Sequence, residues 1–413
     1  MAEGALGVFL IGALGDVATT CIAGCAALAR GLWPPTGLVT ALPELAAGTE
    51  LVPLGALRFG GLDVRAGELG ENAARLEREG VLPAGLGAAV AESLAEASAR
   101  VEPGILLGAA EPVRALALPA LREQRLAPRE ALAYVRERLS AFRRAAGVER
   151  VVVVQLASAE PLHPEAAALA EDSELERFLD RADPRTPASL IYALAALEER
   201  CPYLNFTPAL GASAPAVRAR ARRLGVAHAG RDGKTGETLL KSVLGPMFAA
   251  RHLRVLSWAG YNILGNRDGQ VLADPEARAG KLQSKRSVLA GVLGPGQPGS
   301  EHVTIEFVPS LGDWKTAWNH VHFEGFLGVR MALELTWRGS DSALAAPLVL
   351  DGVRLLERAA RAGRAGVVHE LACLFKDPLE CGEHAFAAQW QMLLQLAARW
   401  RLGPSLGATP PPA

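Results

Sequence analysis

Lysine is rare in this chain, and its distribution is uneven. Only six of the 43 cationic side chains belong to lysine, and the first 233 residues contain arginine but no lysine. Lysine is compact and its pKa falls readily on burial, whereas arginine stays charged, so only lysine suits proton transfer. Two interpretations are open: chance clustering of a rare residue, or retention for chemistry. The six are Lys234, Lys241, Lys281, Lys285, Lys315 and Lys376.

Polar segments interrupt the apolar background around these lysines. Lys281 and Lys285 are four residues apart, a spacing that puts both on one face if the segment is helical. Two close ammonium groups lower each other's pKa, which would allow one of them to act as a base. The alternative is a solvated charged face. The polar segments are 230–238, 261–269, 281–285, 312–315 and 375–378.

The residues Gly233-Lys234-Thr235 match the end of the sequence motif of a phosphate-binding loop. The complete loop motif requires another glycine five positions before Gly233. That position is His228, so we reject this interpretation.

Four of the segments together have the order and spacing of one known family: GKTGET at 233–238, YNILGNRDG at 261–269, GDWK at 312–315 and FKDP at 375–378. The sequence resembles the myo-inositol-1-phosphate synthase family, also called inositol-3-phosphate synthases, and is most similar to its shorter archaeal-type members. The similarity extends over nearly the whole chain. All six lysines lie in or beside these segments, which argues against chance clustering.

The resemblance implies an isomerase of the intramolecular-lyase type that converts D-glucose 6-phosphate to 1L-myo-inositol 1-phosphate with NAD. C5 is oxidised, C6 loses a proton, the C6 enolate attacks the C1 aldehyde, and the C5 ketone is reduced. The hydride returns to the sugar, so the reaction is redox-neutral. Lysines suit it, because cations stabilise developing oxyanions and titratable ammonium groups transfer protons.

The resemblance also implies a role for each of four lysines. Lys281 and Lys376 lie near the C5 oxygen, where they transfer protons and stabilise charge. Lys315 faces the aldehyde oxygen at C1, and Lys285 holds the phosphate. The further substrate-binding residues are Asn262, Asn266, Lys241 and Ser284.

Cofactor binding is predicted at the N-terminus and in the loops that follow later strands. A strand, a glycine turn and a helix are typical of the start of a dinucleotide-binding unit. The turn has Gly12 and Gly15 in place of the full three-glycine fingerprint, and a simple tight turn is the alternative. The predicted NAD-binding residues are Gly12, Ala13, Leu14, Gly15, Asp16, Val17, Ala157 and Ser158, and the resemblance implies Asn205, Asp232 and Asp341 in addition.

A divalent cation, Mg²⁺ or Zn²⁺, is implied by the similarity to archaeal-type members. Asp268 is the candidate ligand. The eight histidines form no convincing metal set. His320 and His322 would share a face only on a strand, and their segment is predicted to be helical.

The elements that must position these residues follow from the apolar pattern. Residues 7–12 and 37–41 are predicted as the first two buried strands, with Glu44 as the acidic residue after the second. The run at 151–156 is predicted as a central parallel strand. Residues 303–308 and 331–337 alternate as in a half-exposed antiparallel sheet. The predicted helices are 128–147, 188–200 and 341–361.

Composition excludes several classes. A formal net charge of −1 argues against a partner that is a nucleic acid or an anionic membrane surface. The apolar N-terminal stretch contains Asp16 and several glycines, so it does not predict a membrane helix. Five cysteines, an odd number spread over a long chain, indicate a reduced cytoplasmic protein.

We therefore predict an α/β fold in which a Rossmann-like NAD domain carries an inserted α+β domain. The NAD domain spans 1–232 and is completed by 342–413; the catalytic and tetramerisation domain spans 233–341, and a homotetramer is implied by the resemblance. Two alternatives stay open. One is a same-fold carbocyclic synthase acting on another sugar phosphate, such as fructose 6-phosphate. The other is a non-catalytic NAD-sensing protein, which loss of lysines would favour.

Overall fold

The chain folds around two β-sheets. Seven strands form a parallel sheet in the order β11-β6-β5-β4-β1-β2-β3, and four strands form a mixed sheet in the order β10-β9-β7-β8. The computed structural model describes residues 4–158, 160–266, 269, 289, 291–293, 297 and 299–402. The strands are β1 Leu6–Ile11, β2 Leu57–Asp63, β3 Val101–Pro103, β4 Arg150–Gln155, β5 Tyr203–Asn205, β6 Ala227–Gly230, β7 Arg254–Leu264, β8 Ser300–Phe307, β9 Trp314–Glu324, β10 Arg330–Ser340 and β11 Gly366–Val367.

Helices account for most of the other described elements. The α-helices are α1 Asp16–Ala29, α2 Pro43–Ala46, α3 Leu69–Arg78, α4 Leu86–Ala89, α5 Ala91–Ser98, α6 Glu111–Leu116, α7 Pro119–Glu123, α8 Pro128–Ala146, α9 Pro164–Ala168, α10 Asp172–Asp180, α11 Ala188–Glu198, α12 Pro215–Leu224, α13 Glu237–Ala250, α14 Asp341–Arg361 and α15 Phe386–Leu402. Short 3₁₀ helices cover Val39–Ala41, Leu54–Ala56, Pro309–Leu311, Phe326–Gly328 and His369–Leu374. In the described part of the chain, no helix is long and apolar enough to cross a membrane.

The parallel sheet is covered on both faces. Along β1, Val8 and Leu10 pack against α1 and α14, whereas Phe9 and Ile11 pack against α8 and α11 on the other face. Side chains alternate across a strand, so a strand buried on both sides must be apolar throughout. This explains the continuous apolar run of β4. The predictions of this strand and of the helices α8, α11 and α14 are confirmed.

The second sheet is mixed, which corrects part of the prediction. β9 pairs antiparallel with β7 and β10, but β8 runs parallel to β7. α13 packs against this sheet, with Phe248 against the fully buried Trp258. The large side chains of Tyr261, Trp318 and Met331 are exposed.

The predicted second strand at 37–41 is wrong. Val39–Ala41 is a 3₁₀ turn, and the second strand is β2. The backbone N–H groups of Val39 and Thr40 donate to the carboxylate of Asp351 on α14, each at 2.9 Å, instead of to a neighbouring strand. Glu44 therefore follows no strand, and the acidic residue at the end of β2 is Asp63.

The predicted helix around His320 and His322 is also wrong, because both lie on β9. The segment pairs with strands on both sides, and these backbone hydrogen bonds override its local pattern. His320 is exposed and faces Glu334 at 3.9 Å. Among the described residues, no group of three or more His, Cys, Asp or Glu side chains is placed to hold a metal ion.

Candidate active site

A cleft lies at the carboxyl ends of the central strands β1, β2 and β4. In open α/β sheets this is the edge where ligands bind. Eight of the eleven predicted cofactor-binding residues line this one cleft; we call it the dinucleotide cleft. The eight are Gly12, Gly15, Asp16, Val17, Ala157, Ser158, Asp232 and Asp341.

The turn after β1 brings two backbones close together. Gly12 has a left-handed φ of 86°, and a Cβ atom there would lie 2.9 Å from the backbone nitrogen of Ala157. Only glycine fits such a position without strain. The turn is therefore tight, as the first glycine of a dinucleotide-binding turn allows.

Helix α1 begins at this turn and points its N-terminus into the cleft. Gly15 is its N-cap residue, and no side chain among the described residues caps it. The first N–H groups of a helix attract anions such as pyrophosphate. Asp16 lies in the first turn, but Arg75 of α3 pairs with its carboxylate and offsets the negative charge.

Asp63 is a cleft residue that the sequence analysis missed. It ends β2, and its carboxylate accepts the backbone N–H of Leu14 at 2.8 Å and of Arg65 at 3.0 Å. An acidic residue at the end of the second strand binds a ribose hydroxyl in dinucleotide folds. The signal was present in the sequence as an apolar segment that ends in aspartate, but the wrong second strand directed attention to Glu44.

We expect Gly12→Ala to lower the affinity for NAD by about tenfold or more. A Cβ there would lie 2.9 Å from the Ala157 nitrogen, so the turn must move away from the position that the cofactor requires. The cost of a left-handed alanine, about 1–2 kcal/mol, falls on stability and is shared with the control. Isothermal titration with NAD measures this effect. Gly31→Ala is the matched control, because Gly31 is also left-handed at φ 67° but has nothing within 4 Å of its Cβ position. Unchanged NAD affinity in Gly12→Ala would contradict the assignment.

Lys376 and Asp232 form a buried ion pair at the inner end of the cleft. The Lys376 ammonium donates to Asp232 Oδ1 at 2.8 Å, and both side chains are almost fully buried. A backbone bridge between Gly233 and Phe375 fixes the two segments side by side. Asp232 Oδ2 is buried and has no hydrogen-bond partner among the described residues, so it is available to a ligand donor.

A second ion pair joins Lys315 of β9 to Asp341, the first residue of α14. The Lys315 ammonium also lies 3.4 Å from the Thr235 hydroxyl, which is 3.3 Å from Asp341 Oδ1. Gly236 gives this ammonium room, because a Cβ there would lie 3.3 Å from it.

A smaller pocket opens between the second sheet and the loop before α13; we call it the inner pocket. It is lined by both lysines, Lys315 and Lys376, and shares Thr235, Asp341 and Lys376 with the dinucleotide cleft. The dinucleotide cleft and the inner pocket therefore meet at the ion pairs Lys376–Asp232 and Lys315–Asp341. Two ammonium groups and two carboxylates stand at the border between the cleft and the pocket.

The three predicted asparagines have different surroundings. Asn262 lines the inner pocket and donates to the Thr304 carbonyl at 3.1 Å, whereas Asn266 lines the dinucleotide cleft and accepts the Gly269 N–H at 2.9 Å. Asn205 lines neither. Its amide oxygen accepts the N–H and hydroxyl of Thr207, so it shapes the loop that borders the cleft.

Lys241 does not line either site. It is fully buried, and its ammonium lies 2.7 Å from Glu301 and 3.3 Å from Glu237. Glu237 lines the inner pocket, so Lys241 contacts the pocket wall and not the pocket itself. Ala13 and Leu14 also lie behind the cleft lining. Lys281, Ser284, Lys285 and Asp268 lie outside the described residues.

Lys234 faces away from both sites. It is 3% exposed, donates to Gln389 of α15 and lies 5.9 Å from the centre of the Phe386 ring. Burial lowers its pKa from 10.5 to about 8. This lysine links the loop that carries Asp232 to the C-terminal helix.

We expect the free energy of unfolding to rise with pH between about 8 and 10 because of Lys234. In that interval the folded chain, with the lower pKa, binds fewer protons than the unfolded chain, so higher pH favours folding. Lys234→Met removes this contribution. Urea unfolding at several pH values measures the difference between the two proteins. If the free energies of unfolding of wild type and Lys234→Met changed in parallel from pH 7 to 10, this expectation would be wrong.

Two further carboxylates border the dinucleotide cleft. Asp313 is buried, which raises its pKa to about 6, and it accepts hydrogen bonds from Ser340 and Ser342 at the N-terminus of α14. Burial raises the pKa of Glu160 to about 7, and this residue accepts the Ser189 N–H at 2.7 Å and hydroxyl at 2.6 Å. The sequence analysis missed both, because their partners are distant in sequence.

Comparison with known proteins identifies the family of this chain. The model of the myo-inositol-1-phosphate synthase family, an NAD-binding family, matches residues 6–398. Inositol-3-phosphate synthase 1 from Bacteroides thetaiotaomicron is 33% identical over 95% of both chains. Inositol-3-phosphate synthase 1 from Oryza sativa is 30% identical over 56% of this chain and 47% of its own.

Solved structures share the fold. The crystal structure of inositol-3-phosphate synthase from Caenorhabditis elegans superposes with a TM-score of 0.82 at 22% identity, over 96% of this chain and 86% of that one. A myo-inositol-1-phosphate synthase-related protein from Thermotoga maritima gives a TM-score of 0.79 at 21% identity, over 95% and 98%. The chain therefore belongs to the myo-inositol-1-phosphate synthase family, a family of NAD-binding enzymes.

Proposed function

We propose that this chain is an inositol-3-phosphate synthase that converts D-glucose 6-phosphate to 1L-myo-inositol 1-phosphate. The observation that carries the proposal is that the dinucleotide cleft and the inner pocket share Thr235, Asp341 and Lys376. A dinucleotide in one and a sugar phosphate in the other would meet at the pairs Lys376–Asp232 and Lys315–Asp341. Family membership supports the same reaction.

The residues of the cleft fit NAD. The turn at Gly12 is tight, the N-terminus of α1 would attract a pyrophosphate, and Asp63 ends β2, where an acidic residue binds a ribose hydroxyl in dinucleotide folds. When bound, NAD would supply the hydride acceptor and donor that the change at C5 of the sugar requires.

Lys376 would hold and move the proton at the C5 oxygen. That oxygen changes from hydroxyl to ketone and back, so a titratable group must lie beside it. Asp232 keeps the ammonium in place through its 2.8 Å hydrogen bond. The resemblance assigns Lys281 to the same oxygen.

Lys315 would stabilise the oxygen at C1 during ring closure. As the C6 enolate attacks, the aldehyde oxygen becomes an alkoxide, and a preorganised ammonium is most effective where this charge develops. Asp341 orients the ammonium from the N-terminus of α14. The phosphate would be held by Lys285 and Ser284, and the sugar hydroxyls by Asn262 and Asn266.

A divalent cation, Mg²⁺ or Zn²⁺, is part of the proposal, with Asp268 as its ligand. Its role would be to offset the negative charge of phosphate groups. Asp268 lies outside the described residues. The assay therefore compares turnover with and without the cation.

We also propose the domain division 1–232 with 342–413, and 233–341. In support, all four strands of the second sheet lie within 233–341, and the last strand of the first sheet, β11, follows it in the chain.

A cytoplasmic homotetramer is proposed as well. The exposed Tyr261, Trp318 and Met331 on the second sheet offer apolar surface for subunit contacts, and light scattering measures the assembly.

The test is an assay of the purified protein with glucose 6-phosphate and NAD, with and without Mg²⁺ or Zn²⁺, read by phosphorus NMR. We expect inositol 1-phosphate without net NADH accumulation. Turnover of fructose 6-phosphate alone would favour a different carbocyclic synthase. NAD binding without turnover of either sugar would favour an NAD-sensing protein.

A further inference from the structure

The C-terminal end of helix α3 contacts residues 312–314, which directly precede Lys315. Glu79 directly follows α3, and its Oε2 accepts the backbone N–H of Asp313 at 3.1 Å. Its carbonyl oxygen accepts the indole N–H of Trp314 at 2.8 Å. A Cβ on Gly312, whose φ is 56°, would lie 2.7 Å from Glu79 Oε2. Glycine at this position is therefore what lets Glu79 approach.

Helix α3 also contacts the turn after β1 at residues 12–16, which we call the dinucleotide turn. Arg75 donates to Glu79 Oε1 at 2.8 Å and pairs through its second nitrogen with Asp16, in the first turn of α1. Asn72 on the same helix donates to the Leu14 carbonyl at 2.8 Å. One face of α3 thus contacts both the turn that would hold the cofactor and the segment before Lys315.

The position of Glu79 is unfavourable for α3 itself. The C-terminal end of a helix carries partial negative charge and favours cations, not carboxylates. Isolated surface ion pairs also add little stability. Glu79 is nevertheless held by Arg75 and directed at the Asp313 N–H. A role in placing the Asp313 segment explains this arrangement.

Asp313 connects Glu79 to the Lys315–Asp341 pair through hydrogen bonds. The Asp313 carboxylate accepts the Ser342 N–H at 3.1 Å and its hydroxyl at 2.6 Å, and it also accepts the Ser340 hydroxyl. These two serines flank Asp341. A shift of Asp313 would therefore move Asp341 and, two residues along the chain on β9, Lys315.

We propose that Glu79, held by Arg75, is a positioning residue that couples NAD at the dinucleotide turn to the placement of Lys315. The link to turnover rests on the proposed function. The coupling itself does not, because it requires only that NAD bind beside Asp16.

The direct test is peptide-resolved labelling of the lysines with an amine reagent, with and without NAD. Lys315 lines the inner pocket but not the dinucleotide cleft, so NAD is not expected to cover it directly. In the wild-type protein we expect NAD to change the Lys315 labelling rate by about fivefold, the low end of couplings between sites. Glu79→Ala should abolish this response.

Glu71→Ala is the matched control, because Glu71 is exposed on the same helix, and it should respond like wild type. A wild-type response in Glu79→Ala, or none in the wild-type protein, would overturn the proposal. If Glu79→Ala does not fold, Trp314→Phe removes one hydrogen bond to Glu79 and should weaken the same response; an unchanged response there would also overturn it.

Kinetics give a second readout that a purely structural role would not move. At saturating NAD, Glu79→Ala should lower kcat about tenfold with KM for glucose 6-phosphate nearly unchanged. Adding Arg75→Ala should lower kcat no further under the same condition, because mutations of two residues in direct contact do not have additive effects. Additive losses, or an unchanged kcat, would overturn the link to turnover. Absence of inositol phosphate with wild type would instead defeat the proposed function, while the labelling result would still decide the coupling.

Discussion

Lys376→Met is expected to lower kcat by about a thousandfold or more while NAD still binds. General acid–base groups contribute about 10²–10⁴ in rate, and Lys376 would also stabilise charge at the C5 oxygen. Because its loss blocks the first oxidation, no NADH should appear when glucose 6-phosphate is added. Stopped-flow absorbance of NADH and steady-state turnover measure the two effects.

The controls separate chemistry from folding. Removal of Lys376 leaves the buried Asp232 carboxylate without its cation, at a cost of about 3–5 kcal/mol for a buried pair that loses one partner. The double variant Lys376→Met/Asp232→Asn removes both charges and should fold but stay inactive. Lys376→Arg keeps the positive charge, but arginine stays protonated and cannot transfer a proton, so this variant should also be inactive. Near-normal turnover of either variant would refute the proton-transfer assignment.

Lys315→Met is expected to lower kcat by about a hundredfold to a thousandfold, the range for loss of one donor at a developing oxyanion. The block would fall later than in Lys376→Met, because Lys315 acts at C1 during ring closure. C5 oxidation should therefore proceed, and bound NADH should accumulate during a single turnover. The same stopped-flow measurement distinguishes the two variants.

Asp341→Asn is the matched variant for this pair. It keeps the size of the side chain and removes the charge that orients the Lys315 ammonium, so a smaller loss in kcat is expected, with NADH again detectable. If Lys315→Met gave no NADH, as expected for Lys376→Met, Lys315 would act before or during oxidation and its assignment to C1 would fall.

Much of the fold could be predicted from the sequence because its signals are local. The apolar run of β4 is continuous since both faces of that strand are covered, and α8 and α14 begin and end close to the predicted residues. The glycine turn at Gly12 was predictable for the same reason. Its left-handed backbone and its contact with Ala157 depend on residue type.

What could not be predicted depends on partners distant in the chain. Residues 37–41 have a strand-like composition, yet Asp351 of α14 takes the N–H donors that a strand would need. Lys241 was predicted to bind the substrate, but its ammonium forms ion pairs with Glu237 and Glu301, which lies on the second sheet. Sequence patterns report a residue's own tendencies and not the charge that tertiary contacts bring to it.

The most direct test of the central claim uses glucose 6-phosphate deuterated at C5. The proposed reaction returns the same hydride to the carbon that lost it, so each inositol phosphate should retain one deuterium, and none should collect in free NADH. Mass spectrometry of the product measures the retention. Formation of product without the deuterium, or deuterium accumulating in free NADH with no inositol phosphate formed, would contradict the account.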